Sequence, residues 1–359
     1  MKILFAGGGT LGPVTPLLAV AEAWKKRDAN VEFVWIGTKS GPEREFVEKE
    51  GIRFFWITQA RLVRWLNGEW LWFPLAMLSA FSQAFRILRK EKPDIIAAAG
   101  GYTSVPIVMV GRIMGIPSWI HQSDVKPILT NRVLAPFATC ITVAWEKTLH
   151  AFPKSKTILI GNPVRASVRQ GIKARAEIMF GCDTSKPTVF VFGGGTGSQW
   201  INKAVDEIQD ELLVIANVIH LTGKGKMNVE SSVGVPLVGT HGNGNYFVIE
   251  SMTDEMPDAY AVADVVVSRA GAGAISELAA MRKASIIIPL PNSPQVNNAE
   301  VIREASVVLE QSSSTPRDVL NQIRRLLNDP MKRLALGERL SITLETDCAE
   351  RIVEMLGDK

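Results

Sequence analysis

Three small-residue stretches in this chain carry groups able to bind anions and sugar hydroxyls. The first is Gly7-x-Gly9-x-x-Gly12, which follows an apolar run and precedes a helical pattern. Glycines at that spacing let backbone N–H groups close on an anion at a helix N-terminus. The dinucleotide form of the motif also needs a carboxylate at the end of the second strand, to hold a ribose. Trp35-Ile36-Gly37-Thr38 offers none, so no dinucleotide cofactor is expected; a purely structural tight turn is the plain alternative. The second stretch runs Ser268-Arg269-Ala270-Gly271-Ala272-Gly273-Ala274-Ile275-Ser276-Glu277, from a strand into a helix. Its small residues suit close approach to a diphosphate. Glu277 can accept from two sugar hydroxyls or simply complement the helix dipole. The third is Gln295-Val296-Asn297-Asn298-Ala299. Carboxamides both donate and accept, which suits hydroxyl-rich ligands as well as ordinary helix capping.

The elements that would position these groups read as strand–loop–helix units. Residues 1–24 and 187–209 echo one another: an apolar run, a Gly-Gly-Gly-Thr loop, then an amphipathic helix. Continuous apolar runs are the pattern of buried parallel strands. Further runs at 31–37, 94–100, 118–121 and 140–144 belong with the first echo, and those at 214–223, 265–271 and 285–291 with the second. This predicts an α/β chain of two doubly wound parallel sheets. Asn162-Pro163 marks the turn between them. The expected domains are 1–163, 164–335 and a terminal piece, 336–359, folding back on the first domain. A single helix is expected over about 329–355, and a surface loop over 233–245.

Composition agrees. The 359 residues are 47% hydrophobic and 21% charged, a folded composition. Cys140, Cys182 and Cys348 are isolated, so neither a disulfide framework nor a zinc ribbon is expected. Residues 1–163 carry 20 basic against 12 acidic side chains, and the remainder 20 against 24. A basic half beside an acidic half predicts that one domain faces an anionic partner. Between Arg61 and Lys90 lies the most polarised segment, with Arg61, Arg64, Trp65, Trp70, Trp72 and Phe73 at its start. Its uncharged stretch is too short to span a bilayer and fits an interfacial element, or else a core helix. No signal peptide is read at the start.

Taken in order, these pieces resemble the MurG family of glycosyltransferases. The matching residues are Gly8-Gly9-Thr10-Leu11-Gly12 with Pro16, Gly100-Gly101-Tyr102-Thr103-Ser104-Val105-Pro106, His121, Leu129-Thr130-Asn131, Gly161-Asn162-Pro163-Val164-Arg165, Gly193-Gly194, Asp254-Glu255-Met256, Ser268 through Glu277, and Gln295-x-x-Asn298-Ala299. The resemblance spans nearly the whole chain. It implies a GT-B fold of two Rossmann-like domains facing across a cleft. It implies inverting transfer of GlcNAc from UDP-GlcNAc to undecaprenyl-pyrophosphoryl-MurNAc-pentapeptide, at the cytoplasmic face of the membrane. No cofactor, metal or nucleic-acid partner is implied, and no Asp-x-Asp pair is present.

The resemblance also implies site roles. Arg165 would sit near the diphosphate, Thr253 at uracil, Glu277 at the ribose and Gln295 at the GlcNAc hydroxyls. Thr10, Gly12, Asp124, Gly195, Thr196, Ala272, Gly273, Ala274, Ile275, Ser276 and Asn298 complete the donor set. The chain departs from the family pattern at Pro13, where a His is usual, at Gln122 for Glu, at Asp124 for Asn, and at Gly195 for Ser. With that His absent, His121 and Asp124 are the candidates for general base. A buried structural role for His121 is the alternative. Two further readings stay open: a different acceptor, and a catalytically weakened homologue that binds UDP-sugar or lipid.

Overall fold

The computed structural model describes residues 1–59, 73–227, 238–241 and 244–357. The chain divides into two units, Met1–Arg165 with Asp347–Lys359, and Ala166–Thr346. The boundary therefore falls two residues past the expected one, and Arg165 belongs to the first unit.

The first unit is built on a seven-stranded parallel sheet. Its strands are β1 (Lys2–Ala6), β2 (Glu32–Gly37), β3 (Arg53–Trp56), β4 (Ile95–Ala98), β5 (Ser118–Gln122), β6 (Cys140–Val143) and β7 (Thr157–Leu159), in the order β3-β2-β1-β4-β5-β6-β7. The central strands are buried along nearly their whole length, as both faces of the sheet are covered. On one face the Phe5 ring stacks on Phe33 and meets Trp35 at a tilt, each with ring centroids 5.4 Å apart. The helices Thr15–Arg27 and Ala349–Gly357 cover them. On the other face Leu4, Val34, Ile36 and Ile96 meet Ala80, Ala84 and Leu88 of the helix Phe73–Glu91.

In the second unit the strands are β8 (Thr188–Phe192), β9 (Asn217–Leu221), β10 (Val238–His241), β11 (Gly244–Ile249), β12 (Val265–Ser268), β13 (Ser285–Ile287) and β14 (Val307–Val308), in the order β10-β11-β9-β8-β12-β13-β14. Only β10 runs antiparallel, against β11. The helix Pro316–Leu327 shows how local signals fix an element. Pro316 stands at its first position, and Thr315 and Asp318 form a reciprocal capping box. Val319, Leu320, Ile323 and Leu326 then lie on one face, against Val189, Val191 and Ile286.

Three expectations differ from the structure. The apolar run at 214–223 does not begin as strand. Residues 214 and 215 finish the helix Gln199–Ile215, and β9 starts at Asn217. The stretch at 233–245 carries β10 and the start of β11 rather than loop alone. The terminal helix is two helices, Pro330–Thr343 and Ala349–Gly357. Only the second returns to the first unit. The first stays on the second unit, where a Cβ on Gly337 would sit 2.0 Å from the Arg282 carbonyl oxygen. A backbone contact that close admits only glycine, and it ties 330–343 to the helix Ala272–Ala280.

Candidate active site

Among its parallel strands each sheet reverses its strand order once, between β1 and β4 in the first unit and between β8 and β12 in the second. Crevices for ligands open at the carboxyl ends of strands at such points. The glycine-rich stretches lie there.

In the first unit the loop after β1 meets the loop after β4. A Cβ on Gly101 would stand 2.9 Å from the Gly8 carbonyl oxygen, and Gly9, Gly100 and Gly101 all have positive φ. Backbone thus packs on backbone where side chains have no room. Trp35 Nε1 donates to the Gly7 carbonyl at 2.8 Å from below. Thr10 and Gly12 are exposed, and Pro13 is half-buried. The helices Thr15–Arg27 and Ser104–Ile113 both start at this point. Thr15 Oγ1, Thr103 Oγ1 and Asn131 Oδ1 are buried and lack a hydrogen-bond partner among the described residues.

His121 stands in β5 with no exposed surface. Its Nδ1 pairs with Thr142 Oγ1 at 2.8 Å and its Nε2 with Asn162 Oδ1 at 2.7 Å. Burial pushes its pKa down to about 4, against a smaller upward pull from Asn162. So enclosed, the ring presents neither nitrogen to solvent. Gln122 shows why the amide replaces a carboxylate here. Its Nε2 donates to the carbonyls of Asp124 and Lys126, while its Oε1 accepts from Asn131 Nδ2 and the Ile128 N–H. A carboxylate could only accept. Gln122, with Trp145 Nε1 on the Ser123 carbonyl, closes the loop that presents the half-exposed Asp124.

In the second unit the loop 193–198 turns through Gly194 and Gly197, both at positive φ. Gly195 and Thr196 are exposed at its tip, and Ser198 caps the following helix by accepting from the Ile201 N–H. Behind it, His220 bridges Tyr246 Oη at 2.7 Å and Asn202 Oδ1 at 3.2 Å, and burial lowers its pKa to about 4.

The loop after β12 is held by two contacts. Asn298 Nδ2 donates to the Ala270 carbonyl at 3.0 Å, and Arg269 Nη1 donates to the carbonyls of Ile288 and Pro289. Arg269 is buried, and burial lowers its pKa to about 10. It leads into the helix Ala272–Ala280, whose Ala272, Gly273 and Ala274 are half-exposed while Ile275 and Ser276 are buried. Ile275 and Ser276 can therefore offer a ligand only main chain or buried contacts, and Asn298 acts on the loop itself. Glu277 accepts from Tyr260 Oη at 2.7 Å. Gln295 Oε1 accepts from the Leu290 N–H. Near Thr253, whose N–H donates to Glu255, the helix Met256–Val262 is fixed by Asp258. Asp258 takes both Arg175 Nε and Nη2 and the Ile172 N–H, and Arg175 holds its carboxyl below the usual range.

Seven predicted positions fall apart from these clusters or outside the described residues. Arg165 ends the first unit, with Nη1 3.8 Å from Glu50 Oε1. Arg61, Arg64, Trp65, Trp70 and Trp72 lie outside the described residues, while Phe73 opens the helix Phe73–Glu91. Among the described residues, no three His, Cys, Asp or Glu side chains could hold a metal ion together, and no helix is long and apolar enough to cross a membrane. Sequence reading missed Tyr260, Asp258 and Glu43, which act through space on loops distant in sequence. Arg269 stands inside a sequence motif, but its hold on the Ile288 and Pro289 carbonyls is visible only in the structure.

Two doubly wound α/β units, each with a glycine-lined crevice at its switch point, are the parts of the GT-B architecture. Residues 3–143 match the glycosyltransferase family 28 N-terminal domain and residues 188–352 its C-terminal domain. Two relatives, from Clostridium kluyveri and Lachnospira eligens, are each named UDP-N-acetylglucosamine–N-acetylmuramyl-(pentapeptide) pyrophosphoryl-undecaprenol N-acetylglucosamine transferase. Each is 34% identical over 99% of this chain, covering 98% and 99% of its own length. Among solved structures, MurG of Acinetobacter baumannii superposes with a TM-score of 0.71 at 22% identity, over 100% of this chain and 99% of that one. A UDP-GlcNAc 2-epimerase from Neisseria meningitidis, bound to UDP-GlcNAc, gives 0.69 at 13% identity, with both chains covered in full. The chain belongs to glycosyltransferase family 28, in its MurG branch.

Proposed function

We propose that this enzyme moves GlcNAc from UDP-GlcNAc, with inversion, to undecaprenyl-pyrophosphoryl-MurNAc-pentapeptide. The observation that carries this reading is the end-to-end relation to enzymes named for that reaction. The geometry supports a division of labour. The second unit takes the donor. Glu277, oriented by Tyr260, accepts from the ribose hydroxyls, Gln295 meets the sugar, and the Thr253 segment meets the base. The exposed start of the helix Ala272–Ala280 and the buried charge of Arg269 stabilise the leaving diphosphate without moving at the moment of reaction. Gly195 and Thr196, exposed at the tip of their loop, complete the lining in this unit.

The first unit takes the acceptor. Its two helix starts and three unpartnered buried oxygens suit a lipid-linked diphosphate and its sugar. Asp124 removes the proton from the acceptor hydroxyl. His121 acts through Asn162 and Thr142 as a positioning residue. General-base catalysis of this kind contributes roughly 10²–10⁴-fold.

The acceptor is a lipid, and the helix Phe73–Glu91 offers a face to meet it. Leu75, Leu78 and Phe85 are 58%, 69% and 44% exposed. Arg86 and Arg89 share that exposed stripe. This face, with the tryptophans and arginines of 61–72, holds the enzyme on the anionic cytoplasmic surface of the membrane. UDP release from UDP-GlcNAc, measured with and without a lipid-linked acceptor analogue, tests the reading. Release that depends on the analogue supports it. Release only with another acceptor replaces the acceptor, and binding without any release makes the protein a UDP-sugar-binding homologue.

A further inference from the structure

Glu43 opens the short helix Glu43–Lys49 after β2, and its side chain has no exposed surface. Its carboxylate takes three donors. Oε1 accepts from the Thr38 N–H at 2.6 Å and from Thr38 Oγ1 at 2.5 Å, and Oε2 accepts from the Gly9 N–H at 3.1 Å. Glycines wall it in. A Cβ on Gly8, Gly37 or Gly41 would come within 2.3, 2.9 or 2.0 Å of a Glu43 carboxylate oxygen. Among the described residues no cation pairs with it. A buried carboxylate surrounded by neutral donors is expensive unless those donors satisfy it, and its retention needs a task. The task visible here is the first glycine loop. Gly9, at φ +88°, is tied by its N–H to a group rooted beyond the next strand.

We propose that Glu43 is a positioning residue for the acceptor: its carboxylate clamps the first glycine loop in the shape that receives the lipid-linked diphosphate. This rests on assigning the acceptor to the first unit. The clamp consumes the Gly9 amide and leaves the main chain of Thr10, Leu11 and Gly12 beyond it to face the ligand. It also explains why no strand-end carboxylate is present for a ribose. The acidic group of this crevice arrives five residues after Thr38 and is turned inward onto the protein.

Glu43→Gln keeps the shape but turns one accepting oxygen into a donor. Thr38→Val removes one donor and leaves the Gly9 bond, as a milder variant that keeps the fold. Amide exchange of the full chain, read by mass spectrometry, is expected to quicken at 7–14 by about tenfold or more in Glu43→Gln, the scale of a lost bond to a charged acceptor. A rise of about two- to threefold is expected in Thr38→Val. Exchange at 193–198 is expected to match the parent. In turnover, the KM for the lipid-linked acceptor rises in parallel, and by a larger factor than the KM for UDP-GlcNAc. Unchanged exchange at 7–14 in both variants overturns the clamp, whatever the activity. Faster exchange with an unchanged acceptor KM overturns its link to the acceptor. A parent that turns over no lipid-linked acceptor ends the functional reading and the acceptor role with it, and the exchange still decides the clamp.

Discussion

At Glu277 the carboxylate takes its hydrogen bond from Tyr260, whose ring is fully buried and meets Phe190 and Phe192 edge-on at 5.5 and 6.0 Å. Tyr260→Phe removes the hydroxyl and keeps that packing. Because hydrogen bonds to charged groups contribute about 1.5–3 kcal/mol, UDP-GlcNAc affinity measured by calorimetry is expected to fall about tenfold or more. An unchanged affinity would detach Glu277 from the donor site. Legibility at this scale follows from sequence distance. Glu277 and Gln295 stand inside local motifs, so their types and spacing speak for themselves. Tyr260 and Glu43 earn meaning only once the sheet brings them to loops 17 and 34 residues away. Gln122 was legible as a departure but not as a reason, because the reason is four hydrogen bonds within a closed loop.

Among the elements, β5 and β9 each carry a histidine with both ring nitrogens bonded and burial holding its pKa near 4. The unfolded chain binds a proton at each near pH 6.5, earlier than the folded one does. Stability is therefore complete above that pH and lost as the pH falls from 6.5 toward 4. Each histidine accounts for a loss on the order of 3 kcal/mol. Urea unfolding followed across that window is expected to show this fall, and His220→Gln to flatten the slope by about one proton. An unaltered slope would mean that His220 does not titrate as its burial demands. The helix Phe73–Glu91 belongs to this scale too. Leu78→Ser with Phe85→Ser is expected to remove salt-resistant binding to anionic vesicles, and Arg86→Glu with Arg89→Glu the salt-sensitive part, since salt screens charge over about 8–10 Å but does not screen apolar burial. Co-sedimentation equal to the parent in both would leave this face without a membrane role. Central strands were readable as apolar runs. The edge strands β3, β7 and β14 were not, since Arg53–Trp56 and Thr157–Leu159 are partly exposed and Val307–Val308 has only two residues.

Over the whole molecule, two echoing strand–loop–helix units in the sequence correspond to the two sheets, and a return of the chain to its first half was expected. Where it returns was not legible, because 329–355 keeps helical composition across the break at 344–348. What divides it is tertiary: Gly337 on Arg282 for one helix, and Trp24 for the other. Cys348, Ile352, Val353 and Leu356 are each at most 3% exposed in the core of the first unit. Burying side chains of this size contributes about 1.5–3 kcal/mol each. Ending the chain after Thr346 is expected to loosen the first unit, with amide exchange quickening throughout β1 and β2 while β8 and β12 keep their protection. Equal protection in both units would show that the returning helix is dispensable.

That returning helix also orders events during synthesis. A ribosome adds about 5–20 residues per second, so the stretch Ala166–Thr346 takes roughly 10–40 s to emerge. Throughout that interval the first half is complete except for its last covering helix, and Trp24 and its neighbours lack the side chains that bury them. The second half, contiguous in sequence, can close first. The nascent first half waits with an open apolar slot that is filled only when residues 349–357 arrive.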